Sequence, residues 1–147
     1  MSSENKVKRN FVFIIVTVIG ILMGAIGSQV IAKMKGPTEH KGISVTNLGT
    51  LGEESLTAQL GLEGYVLRLR SATVAPDGYI KEHSHANAPG LVKMVSGTWI
   101  EGKPDGEVTW KAGEDVAMLE DKDTVHWVYN RGDTPATAII CDIRPSK

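Results

Sequence analysis

Two patterns of apolar and polar positions divide the chain. Residues 11–32 form an uncharged, largely apolar run of 22 residues that opens Phe-Val-Phe-Ile-Ile-Val. As a helix it would rise roughly 33 Å, enough to cross a hydrocarbon layer of about 30 Å. Further along, the period changes. Val66-Leu67-Arg68-Leu69-Arg70 alternates apolar and basic residues, the signature of a half-buried strand. Strand-like runs recur at Leu91–Val95, Thr98–Ile100, Glu107–Trp110, Val116–Leu119, Val125–Tyr129 and Thr137–Ile143. Turn chemistry falls between many of them, at Pro76-Asp77-Gly78, Ser96-Gly97, Lys103-Pro104-Asp105-Gly106, Lys111-Ala112-Gly113 and Arg131-Gly132-Asp133. The stretch from Leu48 to Leu56, broken by Gly49 and Gly52, fits neither period. Short, regularly spaced strands with no convincing amphipathic helix predict an all-β domain, a small antiparallel barrel or sandwich, behind one N-terminal transmembrane helix.

This gives a predicted organisation of a short basic tail (1–10), a membrane anchor (11–32), a polar linker (33–43) and a β domain (44–147). The apolar run admits a second interpretation, a cleaved signal peptide. Lys6, Lys8 and Arg9 would be its basic start, and Ala25-Ile26-Gly27 or Val30-Ile31-Ala32 its small-residue site. Its length favours the anchor. Gly20 and Gly24 add small-xxx-small spacing, which in a membrane can mark contact with another helix. Lysines flank both ends, so charge gives little contrast for orientation. The common arrangement of a single N-terminal anchor places the C-terminal domain on the periplasmic, or extracytoplasmic, side.

Charge narrows the partners. The whole chain has a formal net charge of -1, but residues 44–147 carry 10 Lys/Arg against 15 Asp/Glu. So acidic a domain, without a basic stripe, argues against nucleic-acid binding. Cys141 is the only cysteine. No internal disulfide is available to it, and its apolar neighbours Ala138-Ile139-Ile140 predict a buried, inert thiol.

The candidate chemistry lies in the histidines. In Glu82-His83-Ser84-His85 an extended backbone points both imidazoles to one face and Ser84 to the other. His126 lies in a further strand-like run, where a barrel could bring it to meet them. Three neutral imidazoles at one point can chelate a divalent transition metal; the plainer alternative is a polar, hydrogen-bonded interior. His40, in the linker, reads as a bystander. Met94, Trp99, Trp110, Trp127 and Tyr129 read as packing that fills the barrel, and Asn130 as a turn former.

Gly78-x4-His83-x-His85-x4-Gly90-x6-Gly97 is similar to the first motif of the cupin superfamily, and Asp121-x-Asp123-x2-His126-x3-Asn130 resembles its second. The likeness covers roughly Val66 to Ile143. It implies a double-stranded β-barrel of jelly-roll type, with His83, His85 and His126 as metal ligands and association through the sheets as a dimer. The sequence departs from the family pattern at the fourth ligand. The glutamate position falls on Gly90, preceded by Pro89; one residue fewer separates Gly78 from His83; and Asp121 and Asp123 replace a proline and a glycine. Alternation aims Glu82 away from the pair; Glu101 and Glu120 are candidate stand-ins for the missing ligand or supports of one, with solvated surface charges the favoured reading for both. Three histidines suit Fe(II) first, with Zn, Mn, Ni or Cu also compatible by donor type. The implied function is a membrane-anchored, metal-dependent oxidoreductase, dioxygenase-like, acting on a small organic molecule in the barrel. The alternative is a non-catalytic metal- or ligand-binding module serving as an accessory subunit of a membrane complex.

Overall fold

A computed structural model describes residues 33–147. The expected tail and anchor lie outside the described residues. Among the described residues, no helix is long and apolar enough to cross a membrane.

Eight strands and one short helix follow in order: β1 (Lys41–Leu51), α1 (Glu53–Leu60), β2 (Tyr65–Ser84), β3 (Gly90–Ser96), β4 (Thr98–Lys103), β5 (Gly106–Lys111), β6 (Met118–Glu120), β7 (Val125–Tyr129) and β8 (Ala136–Pro145). All the pairings are antiparallel, in the order β5-β4-β7-β2-β8-β3-β6, with β1 also paired to β2. The result is a nearly closed barrel. The 20-residue β2 joins its two halves. Residues 65–74 of β2 pair with β8, and 79–84 pair with β7. Between them the chain bends at Asp77, whose φ is 56°.

The period-two signal located the strands but not every face. Arg68 and Arg70 share the phase of buried Ala72 and Val74, whereas Leu69 is 42% exposed. The arginines therefore take the inner side of β2. Both reach Asp142 of β8: Arg68 through Nε to Oδ1 (3.1 Å) and Nη2 to Oδ2 (2.9 Å), and Arg70 through Nη2 to Oδ2 (3.1 Å). That carboxylate makes an inward charge tolerable. Val74, Val92, Met94, Trp99, Met118, Val128, Ala136 and Ala138 form one apolar core, and the buried polar groups gather apart from it. The barrel thus has an apolar end and a polar end. Cys141 alternates outward on β8 and is half-buried, not enclosed as expected.

Three expectations about the elements change. The glycine-broken stretch becomes the end of β1 followed by α1, which Gly61 closes in the left-handed conformation (φ 70°). The strand expected at Val116–Leu119 is Met118–Glu120. The expected linker 33–43 is docked on the barrel, and the boundary at Ser44 cuts through β1. Met34 N–H donates to the Pro104 carbonyl (3.0 Å), Gly36 N–H to Glu82 Oε2 (2.8 Å), and Glu82 N–H to the Pro37 carbonyl (2.9 Å).

The physical reason is Trp127. It points to the side of β7 opposite His126, so it does not fill the barrel, yet it is fully buried. Its ring lies against its ladder partner Gly102 and against Gly36, where an added Cβ would stand 2.6 Å from the indole. At Gly102 an added Cβ would fall on the ring itself. Gly102→Ala is therefore expected to destabilise the chain by about 3 kcal/mol, the upper end of overpacking costs. Thermal unfolding of the full chain measures this; an unchanged melting point would mean that the ring moves freely aside.

Candidate metal centre

β2 and β7 bring the first two ligands together directly, since His83 and His126 are ladder partners. One register irregularity falls between Ile80 and His83. Just past the end of β2, His85 is pinned by its N–H to the Thr124 carbonyl (3.0 Å). Ring centroids of the three histidines lie 4.6 to 4.9 Å apart. His126 is 1% and His85 5% exposed, while His83 sits half-buried beside the cavity.

The outer bond of each ring fixes its tautomer. His83 Nδ1 lies 2.8 Å from the Lys81 carbonyl and His85 Nδ1 lies 3.0 Å from the Ala88 carbonyl. A carbonyl only accepts, so each Nδ1 carries the proton. His126 Nδ1 lies 2.8 Å from Glu101 Oε1. Burial pushes the Glu101 acid up, but hydrogen bonds from His126 and Trp110 and the nearby Lys103 outweigh it and hold the group below its usual value. Glu101 is therefore an acceptor as well. With each Nδ1 engaged on its outer side, the three Nε2 atoms turn inward and converge. His85 Nε2 lies 3.0 Å from His126 Nε2, which lies 3.2 Å from His83 Nε2. Without a proton or a cation between them these contacts repel.

Burial works against that proton on two of the rings. Burial depresses His83 to about 4, and burial lowers His85 too. Burial thus keeps His83 and His85 as neutral donors at neutral pH, the state a metal requires. The sequence-predicted residues His83, His85 and His126 thus meet in one group that can hold a metal.

The sequence misplaced the acids. Glu101 and Glu120 are not solvated surface charges; they are 0% and 6% exposed. Glu101 orients His126 and accepts from Trp110 Nε1 (2.9 Å). Glu120 stands at the edge of the trio, its Oε1 3.6 Å from His126 Nε2. Burial raises its acid to about 7. Alternation on β4 and β6 from the buried Trp99 and Met118 was the available signal for both.

A cavity of about 540 Å³ opens on the centre. His83, His126 and Glu120 form its polar end, with Arg70, Lys81 and Arg144 also in the wall. His40 is not a bystander: it lines the same cavity, and its Nδ1 accepts from Lys81 N–H (3.2 Å). Arg70 Nε is buried without a partner. Met94 belongs to the core, as packing predicted. Asn130 organises its turn from a buried position, donating to the Val74 (2.9 Å) and Thr134 (2.8 Å) carbonyls.

No family model matches the sequence, and no curated protein matches it. Solved structures do match the fold. A predicted oxalate decarboxylase from Thermotoga maritima aligns with a TM-score of 0.56 at 17% identity, covering 76% of this chain and 90% of that one. A cupin domain from Bordetella pertussis gives 0.52 at 17% identity, covering 74% and 99%. KdgF from a Halomonas species gives 0.53 at 12% identity, covering 78% and 88%.

Proposed function

This chain has the cupin fold, and from that premise we propose that it holds a divalent transition metal on His83, His85 and His126 and acts on a small anionic organic molecule. The observation that carries the proposal is the convergence of three imidazole Nε2 atoms, with His126 Nε2 3.0 Å from His85 Nε2 and 3.2 Å from His83 Nε2. The donor set fits such an ion: three converging imidazoles, each with its Nδ1 engaged on the outer side. Fe(II) is the ion proposed first, with Mn, Ni, Zn or Cu compatible by ligand type. When bound, the ion supplies Lewis acidity and, if redox-active, an electron partner for dioxygen. The reaction class proposed first is therefore an oxidation with dioxygen as the oxidant.

The remaining residues bind and orient. Arg70, Lys81 and Arg144 give the cavity a cationic lining, and the free Arg70 Nε is a ready donor for a carboxylate or similar anion. Glu101 holds the His126 ring by its far nitrogen, the usual carboxylate–histidine support of a metal ligand. The apolar wall formed by Ala72, Ile80, Trp99, Val128 and Ile140 excludes water from the far side.

The uncharged run 11–32 supports a second part of the proposal. The barrel is tethered by one N-terminal span, on the extracytoplasmic side. Outward-facing Leu69, Leu91 and Leu119 are 42%, 52% and 67% exposed, an apolar surface suited to a second copy or to a membrane-protein partner.

One preparation tests these claims. The full-length chain is extracted from membranes with detergent under anaerobic conditions, then assayed for metal content and for oxygen uptake with small carboxylic acids. Close to one transition metal per chain, and uptake with at least one acid, are expected. Metal without uptake across the panel would favour the non-catalytic binding module. A metal-free protein, folded and unresponsive to added metal, would overturn the proposal, and recovery in the soluble fraction would overturn the tether.

A further inference from the structure

We propose that Glu120 is a fourth protein ligand of the centre, a carboxylate moved from the first-motif strand to the strand paired with it; the inference rests on the three-histidine centre proposed above. The resemblance puts a glutamate at position 90, where this chain has glycine. Gly90 of β3 is the ladder partner of Glu120 on one side and of Asp142 on the other, and Asp142 is the ladder partner of Arg68. Arg68, Asp142, Gly90 and Glu120 therefore form one transverse row across four strands, on the inward phase.

Within that row Gly90 leaves a gap, and Glu120 fills it. A Cβ built on Gly90 would stand 2.8 Å from Glu120 Oε2. The carboxylate of residue 120 thus occupies the room that a side chain at position 90 would need. It is 6% exposed, and Oε2 has no hydrogen-bond partner. His85 Nδ1 is 3.3 Å from that oxygen, but its proton is directed to the Ala88 carbonyl. A buried carboxylate oxygen without a donor is costly, and a cation beside it removes the cost.

The other buried acids are already engaged. Asp142 is bonded by both arginines, and Glu101 by His126 and Trp110. Glu120 Oε1 is 3.6 Å from His126 Nε2, whereas adjacent ligands about 2.1 Å from an ion at right angles lie about 3.0 Å apart. As a ligand, Glu120 would have to close that difference. The donor set becomes three imidazoles and one carboxylate. It lowers the net charge of a divalent site from two to one and adds a hard oxygen, which suits Fe(II) or Mn(II).

The test titrates Co(II) into the full-length chain in detergent, without oxygen, following the visible spectrum of the ion. Wild type is expected to take one equivalent. E120Q is expected to weaken binding by more than about 100-fold and to change the spectrum. E101Q, which removes only the support of a ligand, should lose about 10–100-fold and keep the spectrum. E120G/G90E, which returns the carboxylate to position 90, should recover affinity to within about tenfold of wild type and guards against a misfolded E120Q. Wild-type affinity and spectrum in E120Q, or a folded double variant more than 100-fold weaker than wild type, would overturn the role of Glu120 while leaving the three histidines in place. A wild-type chain that takes up no Co(II) would overturn both.

Discussion

His126→Ala is expected to abolish metal retention and to flatten the dependence of the melting point on added metal. Every contact of this ring explains why it outweighs the other two. Its Nε2 is the hub, 3.0 Å from His85 Nε2 and 3.2 Å from His83 Nε2. Its Nδ1 is locked to Glu101, itself held by Trp110 and by Lys103 at 3.3 Å. Removing the ring takes away the central donor and leaves a fully buried carboxylate short of one partner. The metal-free chain should lose about 2 kcal/mol, since an orphaned buried acceptor costs roughly 1–3 kcal/mol. The larger effect is the missing ligand stabilisation. A metal at 100 times its dissociation constant adds about 2.7 kcal/mol to the native state, and the variant forgoes it. Melting curves of wild type and variant, with and without metal, separate the two contributions. His126→Ala with one metal per chain and a metal-dependent melting point would show that the ion sits elsewhere.

How far the centre was legible in the sequence follows from what alternation can and cannot say. His83 and His85 are two residues apart on one strand, so their convergence needs only an extended backbone. His126 required the barrel, which the succession of short strands and turns implied. The acids were misjudged for a different reason. Period two states that alternate residues face opposite ways, but not which way is inside. Charge then favoured the solvent side for Glu101 and Glu120, because a mostly buried charge is the rarer case. In this barrel the charges pay for one another: two arginines on Asp142, one imidazole on Glu101. The outward Leu69 and half-buried Cys141 are the other side of that inversion. β1 escaped notice because its glycines and polar residues break the pattern, and its partner β2 supplies the ladder instead. The docking of residues 33–40 was also beyond reach, since it depends on an indole whose covering glycines, Gly36 and Gly102, are far apart in sequence.

Asp142→Asn should damage the fold as well as the site. The carboxylate is 3% exposed and takes three charge-assisted hydrogen bonds from two arginines whose side chains are only 24% and 22% exposed. Asparagine keeps the shape and loses the charge, leaving two guanidinium groups facing each other across the polar end of the barrel. Breaking such a buried pair from one side costs roughly 3–5 kcal/mol, and the part-exposed arginines place this case near 3. The pH dependence identifies the cause. Burial pushes the Asp142 acid up, but Arg68 and Arg70 outweigh it and hold it below its ordinary value of 3.8. A folded-state value below the unfolded one gives stability that is present above about pH 4 and is lost as the pH falls through the folded value. The gap between wild type and Asp142→Asn should therefore be constant from pH 5 upward and narrow below about pH 4. Denaturant unfolding of both proteins across that range measures it. A gap that persists unchanged into acid would assign the loss to packing and not to the ion pairs. Because Arg68, Asp142, Gly90 and Glu120 share one row, the same substitution should also slacken the wall behind Glu120, so metal affinity and fold stability should fall together.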